Sequence, residues 1–218
     1  MLRLVNTGDF QQLSRIKQLG PTYLVYPGAT HTRLNHSLGV FHLARRILAR
    51  LVYHPAAPNV SIEGVKAFLA AALLHDVGHF PYTHSFKSLP LVEHECLTGR
   101  IVQQGELAKR LRDDMNVDPV LVATIVDETL EDGGHDEVRL YRSILSGSLD
   151  PDKLDYLNRD AYFCGVPYGF QDIDFALSRI RPNGYDGIAL EETGVSAVEN
   201  ILFSKFLMYR AVYWHRTV

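Results

Sequence analysis

Only two cysteines, Cys96 and Cys164, occur in the chain, too few for the disulfide framework of a secreted domain. Long apolar runs are absent: the longest, Ala67 to Leu74, has eight residues, far short of a membrane span. The opening segment MLRLVNTGDF lacks the apolar core of a signal peptide. Charge of one sign is scarce too. A net charge of −3 gives no global basic field to draw the chain onto nucleic acid or acidic lipid, so an anionic ligand must be attracted locally. No repeat or low-complexity stretch is present, which excludes collagen, coiled coil and disorder as the main architecture. What remains is an ordinary globular balance, 46% apolar and 22% charged, in 218 residues. A chain of that size buries roughly 70% of its unfolded surface without cross-links. These absences predict a soluble, cytoplasmic protein with no membrane contact.

Histidine is the one residue in surplus. Of ten in the chain, eight (His31, His36, His42, His54, His75, His79, His84 and His94) fall within residues 31 to 94. The surrounding pattern is helical. Residues 8 to 30 mix a short helical pattern with breaks at Gly20-Pro21 and Pro27-Gly28. From His36, Val40, Leu43, Ala44, Ile47 and Leu51 recur at helical spacing, so His36 faces inward. Ser61 can cap a helix to His75 whose end is apolar on every face, hence central and buried. Further helices are predicted at 93–111, 118–131, 137–146, 151–164 and 195–215, with a hairpin at 181–190. The expectation is one mostly α domain over 1–218, with an N-terminal arm at 1–30 and a C-terminal helix at 192–218.

The densest chemistry lies in LLHDVGHFPYTHS, residues 73 to 85. His75 and Asp76 end the most apolar helix, where an unpartnered carboxylate would be costly and a bound cation removes the problem. Adjacent helical residues diverge by about 100°, so both reach one ion only at a helix end, which Gly78 and Pro81 supply. His36 offers a third ligand. A second carboxylate can come from Asp150, Asp152, Asp155 or Asp160 in SLDPDKLDYLNRD. Asp152, Tyr156 and Asp160 share one helical face, flanked by Lys153. Such a His and carboxylate set suits a divalent ion among Mn, Fe, Mg, Zn, Ni or Co.

The order His36, His75-Asp76, then a distant Asp resembles the HD-domain metal-dependent phosphohydrolases. Gln18-Leu19-Gly20, YPGATHTRLNHSLGV at 26–40, LLHDVGHFPYTHS, His94-Glu95 and DPDKLDYLNRDAYFCGV at 150–166 resemble more narrowly the dGTPase and SAM-and-HD-domain deoxynucleoside triphosphate triphosphohydrolases. The resemblance implies an HD-domain helical bundle and four metal ligands: His36, His75, Asp76 and Asp152. It implies that Asp76 and the cleft histidines His79, His84 and His94 serve catalysis. Arg33, Lys153 and Lys205 would contact phosphate, and Tyr156, Asp160, Gln18 and Tyr213 the sugar. It further implies a dNTP substrate, attack of metal-activated water on the α-phosphorus, and a homo-oligomer. Lys87 and Lys205 depart from the family pattern, which usually has an acidic residue and an arginine there, and full-length relatives are longer. A 5′-nucleotidase or phosphodiesterase, a di-iron oxygenase and a non-catalytic nucleotide sensor are the alternatives. His31, His42, His54, His135 and His215 read as structural or exposed, and both cysteines as buried thiols.

Overall fold

The computed structural model describes residues 1–81 and 89–215. His84 and Lys87 lie outside the described residues. The architecture is helical, with a single two-stranded sheet among the described residues. After two short helices, α1 (Leu2–Val5) and α2 (Gly8–Gln11), come 3-10 turns at Gln12–Arg15 and Gly20–Leu24. Phe10 and Leu13 from this arm are fully buried.

The centre is built from α3 (Arg33–Val52), α4 (Ile62–Leu74) and α9 (Pro151–Cys164), with α3 packed on both others. Each start is coded locally. Thr32 and Asn35 form a capping box at α3. The Ser61 hydroxyl accepts from Gly64 N at α4. At α9, the Asp150 carboxylate accepts from Lys153 N, and Pro151 occupies the first helical position. The expected inward stripe of α3 is buried from His36 through Val40, Leu43, Ala44, Ile47 and Leu51. The second half of α4, Ala70 to Leu74, is buried on every face, as its composition predicts. It lies against α3 and α7 (Pro119–Val126).

Several boundaries differ from the sequence expectation. The single helix expected at 93–111 is two, α5 (His94–Val102) and α6 (Gly105–Met115), because the chain turns at Gln103-Gln104 and Gly105 takes φ +59°. Helix α7 stops at Val126 rather than 131, since Asp127 is extended and its carboxylate accepts from Thr129 N and Oγ1. After α8 (Asp136–Ser146) and α9 comes an unexpected short helix, α10 (Ile173–Ser178), capped by Asp172. The hairpin forms where expected: β1 (Ile180–Pro182) pairs antiparallel with β2 (Ile188–Leu190), Ile180 opposite Leu190. The last expected helix is α11 (Val195–Met208), which widens into a π-helical turn at Tyr209–Tyr213. No helix among the described residues is long and apolar enough to cross a membrane.

Candidate metal centre

Three helices converge on one point. His36 comes from the first turn of α3, His75 and Asp76 from the end of α4, and Asp152 from the first turn of α9. His36 Nε2 lies 2.8 Å from Asp152 Oδ1 and 3.9 Å from Asp76 Oδ2. His75 Nε2 lies 3.4 Å from Asp76 Oδ1 and 3.9 Å from Asp152 Oδ1. The donor atoms of His36, His75 and Asp76 lie within 4.8 Å of one another. His36 and Asp76 are buried, while 41% of the Asp152 side chain is exposed at the mouth.

The arrangement fits a divalent cation on its own chemistry. His75 Nδ1 sits 3.0 Å from the Ala72 carbonyl, an acceptor, so Nδ1 carries the proton. That leaves the lone pair on Nε2, which is buried without a hydrogen-bond partner among the described residues. A buried imidazole lone pair between carboxylates is what a cation would satisfy.

His36 is oriented by a second carboxylate. Its Nδ1 lies 2.8 Å from Asp155 Oδ2, and Arg159 donates to both Asp155 oxygens at 2.8 and 2.7 Å. Burial opposes a charged His36, but hydrogen bonds to Asp152 and Asp155 outweigh it and raise its pKa to about 10. Burial likewise pushes Asp76 up, yet His79, Arg33 and His75 hold it well below the carboxylate range. Asp152 and Asp155 are also lowered against burial, the first chiefly by His36 and the second by Arg159 and His36.

The remaining expected residues divide. Arg33 is buried and donates from Nη1 to Asp76 Oδ2 at 2.7 Å. His79 Nδ1 lies 2.9 Å from Asp76 Oδ1, and its ring centroid is 3.8 Å from that of His94, so the two rings pack together beside Asp76. Burial lowers the His79 pKa. His94 Nε2 lies 3.1 Å from Glu95. Lys153 turns back: its ammonium pairs with Asp150 and donates to the Gly147 carbonyl. Tyr213 Oη donates to Asp160 Oδ2 at 2.8 Å, and its ring stands edge-on to Tyr156 at 6.2 Å. Burial and Asp160 push the Tyr213 pKa well up. Lys205 lies 5.9 Å over the Tyr209 ring, which neighbours Tyr213. Gln18 contributes a buried Oε1.

Sequence reasoning missed the roles of Asp155 and His31. Asp155 was one of four crowded aspartates, with its i+4 partner Arg159 in plain view. His31, grouped with structural or exposed histidines, is buried and lies 2.7 Å from Asp160. Cys96 and Cys164 are free and partly buried, with the Cys164 thiol pushed up to about 12 by burial.

Separated helices of a mostly α-helical scaffold thus pool two histidines and two aspartates beside a buried arginine, a set that could hold a divalent cation. The HD domain family model matches residues 33–156, and the chain belongs to the HD domain family. The uncharacterized protein YwfO of Bacillus subtilis is 40% identical over 213 residues, covering 97% of this chain and 47% of YwfO. A solved phosphohydrolase from Bacteroides thetaiotaomicron is 32% identical with a TM-score of 0.81, covering 98% of this chain and 50% of that one. The deoxynucleoside triphosphate triphosphohydrolase SAMHD1 homolog of Dictyostelium discoideum is 29% identical over 237 residues, covering 99% and 43%. The chain spans about half the length of the curated relatives it matches.

Proposed function

We propose that this chain hydrolyses deoxynucleoside triphosphates to deoxynucleoside and inorganic triphosphate, by attack of water on the α-phosphorus. The observation that carries the proposal is the convergence of His36, His75, Asp76 and Asp152 beside the buried Arg33. Likeness to the Dictyostelium triphosphohydrolase homolog supports the substrate class. His36, His75, Asp76 and Asp152 would hold a divalent ion, which when bound lowers the pKa of a water to about 7 and neutralises phosphate charge.

The chain's own groups take the other tasks. Arg33, paired with Asp76 through one nitrogen, keeps further N–H donors for a phosphate oxygen. His79, His94 and His84 are assigned to phosphate contact and to protonating the leaving 5′-oxygen. Tyr156, Asp160, Gln18 and Tyr213 are assigned to the sugar, Lys153 and Lys205 to the outer phosphates. The engagement of Lys153 with Asp150 and Gly147 favours, as a second reading, a 5′-nucleotidase or phosphodiesterase with fewer phosphates to hold.

The test is a hydrolysis panel of dNTPs and dNMPs with Mn²⁺, Mg²⁺ or Co²⁺, products resolved by ion-exchange chromatography. Inorganic triphosphate and deoxynucleoside are expected from dNTPs. Orthophosphate from dNMPs alone would establish the second reading, and nucleotide binding with no phosphate species released would overturn both.

A further inference from the structure

Helix α3 carries a pair of arginines at the end remote from the metal centre. Arg46 and Arg50 stand one turn apart, about 15 and 21 Å beyond His36 by helix rise. Beside them a groove of about 510 Å³ opens toward α10 and β1, a volume suited to a small molecule. Arg46 and Arg50 line it from α3, Arg181 from β1, and His54 from the turn after α3, while Leu177 and Ile180 add apolar surface.

Charge in this groove is one-sided. Its lining holds three guanidiniums and no carboxylate, in a chain whose net charge is −3. The acidic groups nearby are not part of the lining. Asp174 pairs with Arg46, and its own side chain is 84% exposed. Glu191 is shared by Arg181 and Arg179, so one carboxylate faces two guanidiniums. Arg50 has no ion pair among the described residues. His54 Nδ1 accepts from the Ala56 amide at 3.1 Å. An amide N–H can only donate, so the ring proton is on Nε2, which is a further donor.

The helix dipole favours a basic residue in the last turn, and that accounts for Arg50. It accounts neither for Arg181 arriving from the hairpin nor for a lining without acid. Like charges gathered around one groove repel, and a bound polyanion relieves the repulsion. Each guanidinium offers five N–H donors in a fork that matches phosphate oxygens. Asp174 and Glu191 each engage one nitrogen of their arginine, so most of these donors stay available. With no carboxylate to hold a cation, the groove neutralises phosphate through arginine alone.

We infer that this groove is a second phosphate site, separate from the metal centre, and that it takes an oligophosphate, inorganic or esterified, without a metal ion. The site is independent of the reaction proposed above.

The experiment is isothermal titration of pyrophosphate into the full chain in EDTA at low salt. EDTA keeps the metal centre empty, and its carboxylates then repel phosphate. Wild type should bind. The double variant Arg50→Ala/Arg181→Ala should bind about 10- to 100-fold more weakly, the range for losing a charge-assisted hydrogen bond. Both positions are solvent-exposed or partly so, and circular dichroism should stay helical. Arg33→Gln, which alters the metal centre instead, should bind as wild type does; Lys205→Ala replaces it if that chain does not fold. Sulfate, which lacks a second phosphoryl group, should bind at least about tenfold more weakly than pyrophosphate. Tighter binding of ADP than of pyrophosphate would mark an ester as the occupant, weaker binding the inorganic ion, and either supports the site. No binding of pyrophosphate, wild-type affinity in the double variant, equal affinity for sulfate, or an equal loss in the metal-centre control would overturn it.

Discussion

Asp155 governs how firmly His36 can face a cation. It touches Nδ1, the ring nitrogen opposite the one that faces Asp152, and Arg159 pins it through two parallel hydrogen bonds. Asp155→Asn should therefore weaken Mn²⁺ affinity about 10- to 100-fold, read by isothermal titration, while the far-ultraviolet circular dichroism stays helical. Wild-type affinity would show that packing alone orients the ring. Gly39 stands one turn after His36 on α3, and a Cβ there would collide with the Asp155 carboxylate and the Arg159 guanidinium. Gly39→Ala should weaken the metal in the same direction and also lower stability by about 1–3 kcal/mol in a urea titration. The His-Asp pair was legible because a buried carboxylate at an apolar helix end demands a partner. The division of labour among Asp150, Asp152, Asp155 and Asp160 was not. Four carboxylates within three turns of one helix look alike until the neighbouring helices are placed: the first caps α9, the second meets His36 Nε2, the third holds His36 Nδ1, and the fourth pairs with His31 and Tyr213.

At the scale of elements, the end of α4 matters most. Thr98 on α5 is fully buried, and its hydroxyl accepts from Gly78 N and donates to the His75 carbonyl, each at 2.9 Å. One side chain thus ties the turn carrying His75 and Asp76 to a second helix. A Cβ on Gly78 would run into the His94 carbonyl and Thr98 N, so α5 approaches there as closely as backbone allows. Thr98→Val keeps the shape and orphans two backbone groups, so a loss of about 1–3 kcal/mol is expected in chemical denaturation. A fall in Mn²⁺ affinity should accompany it, because the turn is then free to shift. A stability change below about 0.5 kcal/mol would mean that water replaces the hydroxyl. Caps and periodicity made α3, α4 and α9 readable in advance. The break between α5 and α6 was less so: Gln103-Gln104 disfavours helix only mildly, and Gly105 marks the turn only once its positive φ is known.

For the whole molecule, a cation shared by α3, α4 and α9 would link three separated parts of the chain and should stabilise the folded state by mass action. With Mn²⁺ at a hundredfold excess over its Kd the gain is about 2.7 kcal/mol, or roughly 5–10 °C in Tm for a chain of this size. Differential scanning fluorimetry before and after EDTA checks this, and an unchanged Tm would argue against a bridging ion. The sequence by itself determined the helical class, the principal helix starts, the hairpin, and a shortlist of inward histidines and aspartates. All of these follow from properties local along the chain: a 3.6-residue period, a capping side chain, an apolar run that must be buried. Only the tertiary structure decided which aspartate meets His36, that Arg33 pairs with Asp76, that Lys153 turns back to Asp150, and that His31 lies against Asp160. The physical reason is that helical periodicity selects a face but not its neighbour. The partner of each buried charge is set by how the helices cross, and that is settled by core packing spread over the whole chain.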